Sequence, residues 1–148
     1  MGGFDDSQSC VLISENQFKV IRQLTYQLCE YEERLLASKI AAPGELSILV
    51  EFVDSFTNLA GQALRVRIVF GDAYEVGSVS GSTLRPVLSD LPGSREAVGE
   101  LSGHLISSWL RMMQYVVSLL EGRELFLRTG YDLDEVRGAL EEFEVDRS

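Results

Sequence analysis

From Ala97 to Leu120 the chain carries only two formal charges, Glu100 and Arg111, together with its single histidine, His104. A tract that long and that apolar has to be covered, either at the centre of a fold or in an interface. Read as a helix, it is capped by Ser94, carries Glu96 in its first turn, and ends near Glu121, before Gly122. It does not suit a membrane span, because Glu100 and Arg111 both fall inside the length a span needs.

Helical signals precede it. In Ile13-Ser14-Glu15-Asn16-Gln17-Phe18, Ser14 and Gln17 have the spacing of a capping box, and Ile13 and Phe18 that of a hydrophobic staple. Phe18, Ile21, Leu24, Leu28, Tyr31 and Leu35 then recur at threes and fours, predicting a first helix from Ser14 to about Ile40, ended by Pro43-Gly44. A second helix starts at Glu45 and carries the stripe Ile48, Leu49, Phe52, Val53, Phe56, Leu59, Ala60 and Ala63, reaching Leu64 or beyond. Its end is ambiguous. Leu64, Val66, Ile68 and Phe70 alternate like a strand, so residues 65–80 are open to a small β-hairpin. Helix continuation is the preferred reading, because an isolated hairpin is only marginally stable. A short last helix is capped by Asp132, with Leu133, Val136, Leu140 and Phe143 facing inward, after an apolar connector at 124–130. The expected fold is all-α: a four-helix bundle with three long helices, one short, and a long central crossover. It forms a single helical domain over residues 1–148, with a flexible N-terminus at 1–10 and an acidic tail at 141–148.

The crossover, Gly77 to Ser94, is rich in glycine and serine. A phosphate loop needs a preceding strand and a Lys-Ser or Lys-Thr pair after its glycines. Ser82-Thr83-Leu84-Arg85 supplies neither, and Gly-x-Gly-x-x-Gly is absent. The segment reads as a joint between helical pairs, broken by Pro86 and Pro92-Gly93.

Charge narrows the partners. Acidic residues outnumber basic ones 23 to 13, for a formal net charge of -10. Nucleic acids and anionic membranes call for a basic face, so neither is an expected partner. An acidic surface draws a basic protein instead, although acidity also serves solubility alone. Cys10 and Cys29 are the only cysteines and show no metal or redox spacing. With no leader sequence evident, they read as reduced thiols of a cytoplasmic protein.

The chemistry-bearing residues are few. Glu96, Glu100 and His104 would share one face of the third helix, as half of a bundle metal site, but one histidine falls short of a di-iron set. No metal or cofactor is expected. A triad lacks its Gly-x-Ser-x-Gly, and a catalytic thiol would need Cys29 to meet His104 by chance of folding. The chain therefore reads as a non-enzyme. Gly99, Gly103 and Ser107 would form a small-residue ridge that lets a second helix approach, either in the same chain or across a homodimer axis. Glu141, Glu142, Phe143 and Glu144 would offer an aromatic ring between carboxylates to a basic partner.

The expected function is an acidic protein–protein interaction module. In concrete form it is a small cytoplasmic inhibitor of the immunity, antitoxin or anti-defence kind that masks a basic surface. The alternatives are a homodimeric or assembly subunit packed through residues 95–121, and a helical bundle binding a small molecule or metal.

Overall fold

The computed structural model describes residues 10–56, 65–71, 87–91, 94–120 and 122–145. The first of these segments runs through β1 (Cys10–Ser14), α1 (Glu15–Leu28), a 3-10 turn (Cys29–Tyr31), α2 (Glu32–Ala37) and α3 (Glu45–Ser55). Then come β2 (Arg65–Gly71), β3 (Val87–Leu91) and β4 (Ser94–Ser102), followed by α4 (Gly103–Leu119), α5 (Gly122–Thr129) and α6 (Leu133–Val145). The strands form one mixed sheet in the order β1-β2-β4-β3. β2 runs parallel to β4, and the outer strands pair antiparallel with their neighbours.

The all-α bundle is thus corrected to a helix-rich α/β fold. The alternation at Val66 and Ile68 belongs to a strand, and no helix continues through it. Nor does β2 belong to a local hairpin over 65–80. Its partners lie far off in sequence, Ile13 opposite Val66 on one side and Ala97 opposite Val66 on the other. A strand that is marginal in a hairpin becomes stable between two neighbours with a covered face. Of the crossover Gly77–Ser94, residues 77–86 and 92–93 lie outside the described residues, as do residues 57–64 of the expected second helix, and 87–91 form β3.

The apolar tract also divides. Ser94 opens β4, where Ala97, Gly99 and Leu101 point to the buried side in strict alternation while Glu100 is exposed. The helix starts later, at Ser102, whose Oγ accepts a hydrogen bond from the Leu105 amide at 3.1 Å. That hydroxyl satisfies one of the free amides of the first turn. The apolar connector at 124–130 is largely a helix, α5, with Leu125 and Thr129 on its covered side. The first helix breaks into α1, the 3-10 turn and α2. α2 closes in a Schellman turn: Lys39 N donates to Leu36 O at 3.1 Å and Ile40 N to Leu35 O at 3.0 Å. Lys39 takes the left-handed position usually given to glycine, with φ at 59°, at a steric cost of about 1–2 kcal/mol.

The capping box at α1 is half realised. Ser14 Oγ accepts from the Gln17 amide at 3.2 Å, but the Ser14 amide donates to Glu142 Oε1 of α6 at 3.3 Å. The last helix thus caps the first. Both lie on one face of the sheet, where Val11, Ile13, Val66, Ile68, Ala97 and Leu101 join the helices in one core. Phe18, Phe56, Phe52, Trp109 and Phe143 cross that core as a chain of rings with centroids 5.0–6.1 Å apart, near the separations tilted and edge-on pairs prefer. Trp109 Nε1 donates to Thr25 Oγ1 at 2.9 Å, so the buried indole is satisfied. The other sheet face is mixed, with Leu12, Val69 and Val98 among charged residues. There Arg67 grips Glu96 through Nε at 2.8 Å and Nη2 at 3.2 Å, and its Nη1 reaches Cys10 Sγ at 3.2 Å. Among the described residues no helix is long and apolar enough to cross a membrane.

Candidate functional site

The two surfaces expected from sequence are placed elsewhere. Gly99 and Gly103 do not lie on one helix with Ser107. Gly99 is a buried residue of β4, Gly103 the first residue of α4, and Ser107 a half-buried residue of its second turn. Gly99 is already covered from within the chain by the rings of Phe52 and Phe56, so it offers nothing to a second molecule. In the acidic stretch, Phe143 is fully buried, its ring 5.0 Å from Trp109. Glu142 caps α1, which leaves Glu141 as an exposed carboxylate on α6. The side chain of Glu144 and residues 146–148 lie outside the described residues. The spacing of Val136, Leu140 and Phe143 already placed this ring inside.

The expected Glu96, Glu100 and His104 face does not form either. Glu96 is held by Arg67, which keeps its carboxyl below the ordinary value of 4.5 through hydrogen bonding. His104 pairs instead with a residue the sequence reading passed over. Glu45 is buried, 1% exposed, at the start of α3. Its Oε1 accepts from the Ala42 amide at 2.7 Å, while its Oε2 accepts from Ser108 Oγ at 3.3 Å and lies 3.1 Å from His104 Nε2. Arg111 Nη2 extends the network to Ser108 Oγ at 3.3 Å. The signal was present: Glu45 stands three and four residues before Ile48 and Leu49, on the apolar face of its helix, and a carboxylate there must be paired. Serine, histidine and glutamate meet, but in the wrong order for a nucleophile. The hydroxyl is bonded to the carboxylate, and in a triad the imidazole stands between the two. Among the described residues no group of three or more histidine, cysteine, aspartate or glutamate side chains is placed to hold a metal ion.

Cys10 and Cys29 are both free thiols. Burial pushes the Cys29 thiol up, and the carboxylates of Glu32, Asp54 and Glu30 push it further. That pattern opposes a reactive thiolate. It also marks the field at this place: the 3-10 turn, α2 and α3 converge as an acidic surface.

A different feature stands beside it. Among the described residues, the large apolar side chains more than a third exposed are Leu119, Phe126 and Leu127, at 37%, 52% and 71%. All fall between the end of α4 and α5. α5 has only Leu125 and Thr129 buried, so its remaining faces are turned outward. Arg128 ties it to the acidic turn, with Nη1 3.5 Å from Glu30 and Nε 3.0 Å from Glu124. Leu127 lines a shallow surface depression with Arg123, Glu124 and Arg128, so its immediate surroundings carry both signs of charge. Single exposed apolar residues are ordinary on a protein surface, whereas several within one short stretch of chain are less so. No protein-family model, no curated protein and no solved structure matches this chain.

Proposed function

We propose that the protein is a non-enzymatic, cytoplasmic protein-interaction module that docks a partner on α5 and the adjoining acidic turn. The observation that carries this reading is the exposure of two consecutive large apolar residues, Phe126 and Leu127, on a short helix. Large apolar side chains at the centre of such a patch supply the affinity, because they leave water on docking. The net charge of -10 selects the sign of the partner and speeds its arrival. The partner is a basic protein with an apolar spot within its basic surface. An inhibitor that masks such a surface is the simplest form of this module.

The test is an affinity capture from the native host at about 0.15 M salt, repeated at higher salt, where exposed charges are screened. The wild-type chain is compared with a Phe126→Ser, Leu127→Ser double variant, whose core is intact. A stoichiometric basic protein, held by wild type, weakened by salt and lost with the double variant, is the expected result. Capture that is indifferent to both changes refutes the placement. Recovery of only a second copy of the chain, in a salt-resistant dimer, refutes the inhibitor and supports a self-associating subunit.

A further inference from the structure

A pocket of about 370 Å³ opens between α4 and the connection from α2 to α3. Its size falls in the range of small-molecule sites, toward the small end. Part of its lining is apolar, from Leu36, Ile40 and Pro43. Its polar part comprises Lys39 from the Schellman turn, His104 and Arg111 from α4, and the buried Glu45 and Ser108. In a chain where acids outnumber bases 23 to 13, this lining reverses the balance. It holds two permanent cations and an ionisable imidazole against one carboxylate.

That carboxylate is spent internally. Glu45 is 1% exposed, and its oxygens are engaged by the Ala42 amide, Ser108 and His104. The cations are not spent. Neither Lys39 nor Arg111 forms an ion pair within 4 Å with a described residue, and the Arg111 fork is steadied on Ser108 Oγ. The first turns of α3 and α4, which carry Glu45 and His104, add the positive ends of two helix dipoles. At Lys39 the chain also accepts a left-handed backbone in a residue with a side chain, at a turn where glycine would be free of strain.

We propose that this pocket binds a small organic anion, a carboxylate or a phosphate monoester. Arg111 and Lys39 hold the charged head, and the apolar side chains of Leu36, Ile40 and Pro43 cover its apolar body. A guanidinium fork matches the paired oxygens of either head. This site is built from other elements than the docking surface on α5 and stands independently of it.

Calorimetric titration of the full chain with inorganic phosphate, acetate and butyrate tests the proposal. The expected result is saturable binding of one ion per chain with a Kd of about 1 mM or tighter for at least one probe. Butyrate binding more tightly than acetate identifies a carboxylate ligand using the apolar lining, whereas saturation by phosphate alone identifies a phosphate ester. Arg111→Gln and Lys39→Gly should each weaken binding about tenfold or more, while Arg137→Gln, an equal charge change on the exposed face of α6, should change it by less than about twofold. Lys39→Gly also places glycine where φ is 59°, so it should melt no lower than wild type, which separates lost binding from lost folding. Absence of saturation with all the probes, or equal weakening by Arg137→Gln, overturns the proposal.

Discussion

Replacing Gly99 by alanine adds one carbon to the centre of the sheet face. That carbon would lie 2.6 Å from Phe56 Cζ and 3.1 Å from two atoms of the Phe52 ring. Apolar carbons rest at about 3.5–4.0 Å, so Phe56 must move by roughly 1 Å. A ring tip at the surface would swing aside. Phe56 is fully buried, with Phe18 at 5.3 Å and Phe52 at 5.0 Å, and Phe52 in turn leans on Trp109 at 6.1 Å. The displacement has to pass along that chain. Overpacking of this kind costs about 1–3 kcal/mol. Loss of glycine's freedom in the unfolded chain returns about 0.4–1 kcal/mol. The net expectation is a loss of about 1–2 kcal/mol, or a Tm lowered by about 2–8 °C for a chain of this size. Urea denaturation followed by the fluorescence of Trp109, the one tryptophan, measures it. Gly103→Ala provides the contrast. Its new carbon would meet Phe70 Cδ2 at 3.5 Å, an ordinary contact, at the first position of a helix, so it should be neutral or stabilise by up to about 1 kcal/mol. Opposite signs at these two glycines follow from a strand-to-helix junction between them. Equal effects, or Gly99→Ala at wild-type stability, would refute this placement of β4 beneath the phenylalanines.

Thr25→Val strips the acceptor from the buried Trp109 indole and should cost about 1–3 kcal/mol in the same assay. Glu96→Gln breaks the two-pronged contact with Arg67, whose side chains are only 13% and 22% exposed, and should cost about 1–2 kcal/mol at neutral pH. Because the folded pKa of Glu96 is depressed, its contribution is fully present above the ordinary value of 4.5 and is lost as pH falls through the folded value. The wild-type and Glu96→Gln stabilities should therefore begin to converge as pH falls below 4.5 and meet once it has passed through the depressed folded value. Cys29, although exposed, should alkylate with iodoacetamide more slowly than free cysteine at pH 7.5, since burial and its acidic neighbours raise the thiol pKa; a faster rate than free cysteine contradicts that environment.

The helical parts of the fold were legible where a signal was local. Ser14 caps α1 as its spacing implied, and the stripe from Ile48 to Phe56 is buried along α3 and just beyond it. The strands were not legible for the converse reason. β2 shows a period of two, yet its stability comes from Cys10–Ser14 and Ser94–Ser102, distant segments that each carry a competing helical reading. The segment around β1 holds the capping box, and Glu96, Glu100 and His104 fit a helical face as readily as Ala97, Gly99 and Leu101 fit a strand face. A short apolar tract does not separate the two periods. Gly99 tilts the balance, costing a helix about 1 kcal/mol while allowing Phe56 to sit flush on the sheet.

The same reasoning explains which site residues were visible. Phe143 carries two kinds of information: its charged neighbours suggest display, while its spacing from Val136 and Leu140 demands burial. Spacing prevails, because a ring on the covered stripe gains from leaving water more than an exposed carboxylate pair gains from framing it. Glu45 is the mirror case, a charge on a covered stripe. Such a group persists only where other elements bring it donors, and these come from the α2–α3 connection and from α4. Its partners are thus a property of the assembled fold, and its position within α3 shows only that partners must exist. The exposed α5 reverses the argument again. Leu125 and Thr129 use the covered face of that helix, so Phe126 and Leu127, lying off that face, stay in water although they are large and apolar.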